Sequence, residues 1–214
     1  MIGWYLHGWG YGPAIWDQLA ALLPDLEPRF ANLGYGGNAN DGPPDEPAIW
    51  ITHSFGTMHA LAKMAAPDMP LNCRALVAIN GFDRFAASPG FEGVPPRVLD
   101  RMIARFASDP AGVVSDFCRK CGKDTDVELL DDRTLKRDLV ALRDMDCREQ
   151  AAALSIPVLS LQGAADPVLP PAMRAAVLTG AHHVTHASAG HLLPLEQPAW
   201  CAHQIAEFRA EFGL

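Results

Sequence analysis

No run of about 18 apolar residues occurs anywhere in the chain, so no segment has the length to cross a bilayer as a helix. The opening residues, Met1-Ile2-Gly3-Trp4-Tyr5-Leu6, lack the basic region and longer apolar stretch of a secretory leader, and a cytoplasmic location is expected. Positive charge is scarce. Seventeen Lys and Arg face 25 Asp and Glu, a net charge of −8, which excludes a general nucleic-acid binder because phosphate contacts need a basic face. Cysteines are few, odd in number and scattered (Cys73, Cys118, Cys121, Cys147 and Cys201), so they read as reduced packing thiols rather than a disulfide frame. Cys118-Arg119-Lys120-Cys121 has no second pair to complete a zinc site and no βαβ setting for thiol redox chemistry. His182, His183 and His186 likewise lack a carboxylate or cysteine partner in register. No metal and no cofactor is expected.

What remains is the composition of an ordinary globular domain, 49% apolar and 20% charged, without internal repeats or low-complexity tracts. Short apolar runs alternate with helical patterns. Ile2–Leu6, Ala48–Thr52, Ala75–Ile79, Pro157–Leu161 and His183–His186 read as strands. Trp16–Leu23, Phe55–Ala66, Pro171–Leu178 and Pro198–Phe212 read as helices. That alternation predicts an α/β fold with a mostly parallel sheet flanked by helices. Between Gly81 and about Gln150 the strand signal stops, and helical segments near 97–106, 111–121 and 133–142 replace it. Residues 1–81 and 151–214 therefore form the expected core, and 82–150 a helical cap inserted at one edge of the sheet, placed to act as a lid.

Four loops carry the chemistry. In Ile49-Trp50-Ile51-Thr52-His53-Ser54-Phe55-Gly56, a buried-type strand meets a serine and turns directly into a helix, the setting of a nucleophile elbow. The helix N-terminus favours developing negative charge, and the Phe55 N–H can face a substrate oxygen. The usual Gly-x-Ser-x-Gly has Thr52 as its first member here, where a tight turn wants a small residue. A helix-capping serine is the competing interpretation. After the first strand, His7-Gly8-Trp9-Gly10 can bring a second donor, the Trp9 N–H, close to a ligand. Asp166 follows the Pro157–Leu161 strand, and His191 follows the small-residue turn Ser188-Ala189-Gly190. Ser54, Asp166 and His191 stand in the chain order of nucleophile, acid and base on this kind of sheet.

On these residues the chain resembles the α/β-hydrolase superfamily. Within it, the resemblance runs to the pimeloyl-acyl-carrier-protein methyl ester esterases of biotin synthesis. It is carried by His7-Gly8-Trp9-Gly10 with Trp16, by Trp50 through Gly56, by Ala75–Ile79, by Ile156–Leu159 with Gly163 and Asp166, and by Ala189-Gly190-His191 with Pro194. It implies the α/β-hydrolase fold with Ser54, Asp166 and His191 as triad. It also implies an oxyanion hole from the Trp9 and Phe55 amides, and a helical cap over the acyl site. Against the family pattern, the preceding hairpin is expected to be absent, and the short 34–48 stretch leaves little room for the helix that normally precedes the nucleophile strand.

The resemblance makes the charge distribution informative. From Arg97 to Lys123 the net charge is +3, leaving −11 for the remainder. Arg97, Arg101 and Arg105 recur every fourth residue and form one stripe if helical, suited to an acidic acyl carrier protein docking on the cap. A solvated helix face is the plainer alternative. Phe85, Phe91, Phe106 and Phe117 can wall an apolar acyl pocket. His7, Phe117, Arg101 and Arg105 are the candidate substrate-contacting residues. A serine carboxylesterase acting on a small acyl ester, without nucleic acid or membrane and as a monomer, is the expected function. A thioesterase or carbon–carbon bond hydrolase on the same triad, or a binding protein that kept the fold, are the alternatives.

Overall fold

A computed structural model describes residues 1–66, 72–123 and 131–214. Six strands form one sheet: β1 (Ile2–Leu6), β2 (Glu27–Ala31), β3 (Ala48–His53), β4 (Cys73–Ile79), β5 (Val158–Gly163) and β6 (His182–His186). Their order is β2-β1-β3-β4-β5-β6, and every neighbouring pair is parallel. Successive strands step one way from β1 to β2, then the other way from β3 onward. The reversal opens a crevice at the carboxyl ends of β1 and β3, where loops diverge to opposite sides. The loops carrying Trp9 and Ser54 leave from those two ends.

Helices cover both faces: α1 (Asp17–Ala21), α2 (Phe55–Met64), then α3 (Pro96–Phe106), α4 (Pro110–Lys120), α5 (Asp132–Asp144) and α6 (Arg148–Ala152), followed by α7 (Pro171–Ala176), α8 (Leu193–Glu196) and α9 (Pro198–Phe212). The central strands are buried on both sides, β3 along its whole length, which is why they read as continuous apolar runs rather than alternating ones. The edge strand β2, Glu27-Pro28-Arg29-Phe30-Ala31, is exposed at its first four positions. Its proline and charges hid it from the sequence pattern, and they are the residues an edge tolerates.

Helices α3 to α6 lie between β4 and β5; α3 to α5 fall within the 82–150 segment expected to form the cap, and α6 runs past its end to Ala152. Asp109 and Asp131 cap α4 and α5, each side chain accepting from backbone amides of the first turn. Two side chains tie α5 to the core: Trp9 Nε1–H donates to the Leu135 carbonyl at 2.8 Å, and the Tyr35 hydroxyl donates to Asp138 at 2.7 Å. Where the cap segment leaves and rejoins the core its backbone pairs with itself, with Cys147 N–H on the Asp83 carbonyl and an Arg84–Asp146 ion pair beside it. All five cysteines are buried as thiols. No helix among the described residues is long and apolar enough to cross a membrane.

The core packs closely under the β3–α2 corner. A methyl group on Gly56 would stand 2.6 Å from the carbonyl oxygens of both Leu6 and His7, backbone atoms that have no room to move. Gly56→Ala is therefore expected to lose about 3 kcal/mol of stability, as overpacked cores do. Urea unfolding at constant m-value measures it, and an unchanged midpoint would show that α2 can slide on β1.

Candidate active site

Ser54 sits between the end of β3 and the first residue of α2 with φ +53° and ψ −124°. That backbone is rarely populated by L-residues and is a strain of order 1–3 kcal/mol held in place by its surroundings. The Ser54 side chain makes no capping hydrogen bond to α2. It points to His191 instead, with Oγ 3.0 Å from Nε2. On the far side of the same ring, Nδ1 lies 2.8 Å from Asp166 Oδ2. Because the carboxylate only accepts, Nδ1 carries the proton and Nε2 is left as an acceptor for the serine hydroxyl. The three residues are buried, Ser54 retaining 4% exposure and His191 none.

Asp166 is held by more than the histidine. Its Oδ1 accepts from the Val168 and Leu169 amides at 2.7 and 3.1 Å. Burial by itself would raise its pKa, but the attraction and hydrogen bond of His191, with those two amides, outweigh it and hold the carboxyl below the ordinary range.

Phe55 is the first residue of α2, so its N–H has no carbonyl of its own helix to reach. Trp9 lies in the loop after the neighbouring strand β1, and its ring packs edge-on against Phe117 at 5.1 Å. Phe117 in turn meets the His191 ring at 6.3 Å. Beyond these rings opens a cavity of about 290 Å³ between α3 and α4, lined by Trp9, Phe85, Leu99, Met102, Phe117 and Val168 among others, with Arg101, Arg105 and Lys120 at its polar margin. Of the four phenylalanines considered for this wall, Phe85 and Phe117 line the cavity. Phe106 is packed behind Trp9, and Phe91 lies under the Arg148 guanidinium.

Some residues are placed otherwise than the sequence led us to expect. His7 does not reach the cavity. It is fully buried, its Nε2 accepts from the Leu33 amide and its Nδ1 donates to the Gly8 carbonyl, so it shapes the β1 loop from behind. Burial pushes its pKa down to about 4, and the ring is neutral. The stripe on α3 is not a row of free cations, because Arg105 is paired with Asp109 and Asp116 at 2.7 and 2.6 Å. Thr52, in the place of a glycine, is accommodated through its hydroxyl. Its Oγ1 lies 2.8 Å from Thr57 Oγ1 and donates to the Val77 carbonyl at 3.2 Å, which joins β3, β4 and α2 below Ser54.

Three residues at the site gave no sequence signal. His53, Asn80 and Glu196 all bond to the backbone of the His191 loop. His53 and Asn80 stand at the ends of strands, but their partners are set by contacts across the fold, whereas Glu196 ends α8 and bonds to amides just before it. No cluster of His, Cys, Asp or Glu able to hold a metal ion occurs among the described residues.

No protein-family model matches the chain. It is similar to proteins named pimeloyl-acyl-carrier-protein methyl ester esterase. The one from Pectobacterium atrosepticum is 27% identical over 195 residues, 77% of this chain and 76% of the relative. That from Klebsiella pneumoniae is 28% identical over 197 residues, covering 77% and 75%. Among solved structures, an esterase from Exiguobacterium antarcticum superposes with a TM-score of 0.80 at 14% identity, over 97% of this chain and 91% of that one. An enol-lactonase from Burkholderia xenovorans gives 0.75 at 15% identity, over 98% and 92%. The chain has the α/β-hydrolase fold.

The depressed Asp166 pKa makes a linkage prediction. A carboxyl whose folded pKa lies below its unfolded value of about 3.9 contributes stability above that pH, and the contribution is lost as pH falls through the folded value. The stability difference between the wild type and Asp166→Asn should therefore shrink between about pH 5 and about pH 3. A difference that stays constant over that range, measured by urea unfolding, would mean that Asp166 is not held as a carboxylate.

Proposed function

We propose that this chain is a serine carboxylesterase in which Ser54 is the nucleophile, His191 the general base and Asp166 the residue that orients and stabilises the histidine. The observation that carries the proposal is the continuous line from Ser54 Oγ through the His191 ring to Asp166, with the serine on a strained turn and its hydroxyl withheld from helix capping. A serine that only ended a strand would spend its oxygen on the helix amides. The likeness to proteins named as esterases supports the same reaction class.

In this mechanism Ser54 Oγ attacks the ester carbonyl while Nε2 of His191 takes its proton. The imidazolium is stabilised by Asp166, which stays ionised. The tetrahedral oxyanion forms at the start of α2, where the Phe55 amide and the positive end of the helix favour it, and the Trp9 amide from the β1 loop is the second donor. His191 then protonates the departing alcohol. Water repeats the attack on the acyl-enzyme, releasing the acid and restoring the serine. The residues named supply both proton transfers.

The cavity is apolar and large enough for a medium-length acyl chain. Its margin is basic. Arg97 and Arg101 are exposed on α3, and Lys120 ends α4. An acyl chain in the cavity with an acidic carrier protein on the cap fits both features, and a pimeloyl-acyl-carrier methyl ester is the specific substrate we favour. The carrier's acidic surface would be steered by the positive window, the more so because the rest of the chain is strongly negative.

Two measurements test this reading. On a butyrate nitrophenyl ester, Ser54→Ala should lower kcat by at least about 10³-fold with the fold intact. Equal rates for variant and wild type would end the nucleophile assignment. For the carrier, Arg97→Glu lies outside the cavity lining and should leave that small ester untouched. It should raise KM for a carrier-bound methyl ester about threefold to tenfold, an effect that fades as salt rises. Unchanged KM at low salt would remove docking on the cap.

A further inference from the structure

The catalytic histidine stands in a loop with little side-chain bulk to hold it. Ser188-Ala189-Gly190 precedes it, and none of these residues is large. The loop's backbone is instead fixed group by group. Ala165 N–H donates to the Ala189 carbonyl at 2.9 Å, and Glu196 accepts from the Gly190 and Leu192 amides at 2.6 and 3.1 Å. The two remaining carbonyls, of Gly190 and of His191 itself, go to Asn80, whose Nδ2 lies 2.8 Å from each. The Asn80 amide is used in full, since its Oδ1 accepts from Gly163 N–H at 2.8 Å. The His191 carbonyl takes a second donor, His53 Nε2–H, at 2.9 Å.

Both side chains come from the ends of adjacent strands. His53 ends β3 beside the nucleophile, and Asn80 follows β4 with φ +44°. Their backbones lie one step apart at the end of the sheet, His53 standing opposite Ile79: Ser54 N–H donates to the Ile79 carbonyl, and Asn80 N–H to the Leu161 carbonyl at 2.7 Å. One layer of the sheet thus holds the serine directly and the histidine through its peptide. Both residues are fully buried. The opposite ring nitrogen of His53, Nδ1, has no hydrogen-bond partner among the described residues although buried. That costs free energy, so the bond made by Nε2 is the polar contact the ring keeps in return. Burial, then the neighbouring His191, push His53 down to about 3, so the ring stays neutral and Nε2 keeps its single proton for the carbonyl.

We propose that Asn80 and His53 are positioning residues that clamp the His191 peptide carbonyl and thereby set the reach of its ring to Ser54 Oγ. The inference rests on the triad reading given above. The margin is narrow. Oγ and Nε2 are 3.0 Å apart, and a shift of about 1 Å at a supporting contact can cost about 100-fold in rate. The clamp acts on the base rather than the substrate, so its loss should fall on kcat.

The test uses variants that fit the backbone and reverse the chemistry. Asn80→Gly removes the amide yet adopts positive φ freely. It should lower kcat on a nitrophenyl ester about 100-fold with KM changed by less than about twofold. Asn80→Asp keeps the shape but turns the donor towards the two carbonyls into an acceptor. Ionised, the new carboxyl repels them; protonated, it donates to one. Its activity relative to wild type should therefore fall as pH rises. His53→Gln, which keeps a donor near the Nε2 position, should retain most activity, and His53→Leu should lose about tenfold. A readout independent of turnover is the downfield proton resonance of the His191–Asp166 hydrogen bond. It should persist in wild type and His53→Gln, and broaden or vanish in Asn80→Gly. If the wild type hydrolyses no ester, the function proposed above fails while this resonance still decides the clamp. An Asn80→Gly variant with unchanged kcat or an unchanged resonance overturns the proposal. So does a loss in every variant that tracks lowered Tm, with no pH dependence for Asn80→Asp, which is the signature of a scaffold role alone.

Discussion

A single residue at the end of β3 turns with the wrong hand for an L-amino acid, and much of the surrounding sequence serves to keep it there. With φ +53°, Ser54 reverses the chain from strand to helix within one residue. The reversal brings the start of α2 against the end of β1, so close that position 56 admits no side chain. It also lifts the serine hydroxyl away from the helix amides it would otherwise cap. The strain is opposed from below by the Thr52–Thr57 contact and the Thr52 bond to β4, and on the β4 side by the bond from Ser54 N–H to the Ile79 carbonyl. Each is a modest interaction, about 1 kcal/mol net when buried, and together they are of the size needed to hold a strain of a few kcal/mol. A corner held this firmly has the Phe55 amide and the Ser54 hydroxyl, the proposed oxyanion donor and nucleophile, in place before any substrate arrives.

The parts of this arrangement visible in the sequence are those whose cause is local. Buried parallel strands are apolar along their length, so β3 and β4 announce themselves. The serine between a strand and a helix, the two-glycine loop after β1, and the small-residue turn before His191 are all written in consecutive residues. Where the cause is long-range, local pattern misleads or is silent. Thr52 looked too large for its turn because the partner that absorbs its hydroxyl, Thr57, matters only once α2 has folded back. His7 sits in the same loop as Trp9, yet its ring faces inward to the Leu33 amide, a contact no spacing rule encodes. Arg105 belongs to a periodic basic stripe, but Asp116 on the next helix neutralises it, and that pairing follows from how α3 and α4 cross. The edge strand β2 was hidden for the opposite reason: an edge selects proline and charge, which are also the marks of a loop.

The polar residues that hold the site extend the same distinction. His53 and Asn80 are each next to a feature that reads clearly, one beside the nucleophile and one past the end of β4. Their partner lies more than a hundred residues away, in a loop that the sheet order alone brings near. Strand order is the long-range information here. Once β3, β4 and β5 are neighbours in parallel, the residues after their carboxyl ends must crowd together. Buried donors and acceptors among them must then find one another, because an unpaired one costs more than a paired one contributes.

The 82–150 segment, proposed as a cap, is joined to the rest by apolar and polar contacts together. Trp9 packs against Phe106 and Phe117, while the Trp9 and Tyr35 hydrogen bonds reach α5 and the segment pairs with itself near Asp83 and Cys147. Trp9 belongs to both systems. Its backbone stands in the loop proposed to supply the second oxyanion donor, while its indole bonds to α5 and packs on Phe117 of α4. Under the proposed function, a displacement of α4 is therefore felt at the Trp9 loop, and a change in that loop is felt by the cavity wall. Ser54, Asp166 and His191 are held mainly from strand ends and the loops after them, and α4 reaches them through the Phe117 ring beside His191. Variation in α3 and α4 would then alter the cavity first, with Trp9 and Phe117 the two rings through which it would reach the proposed triad.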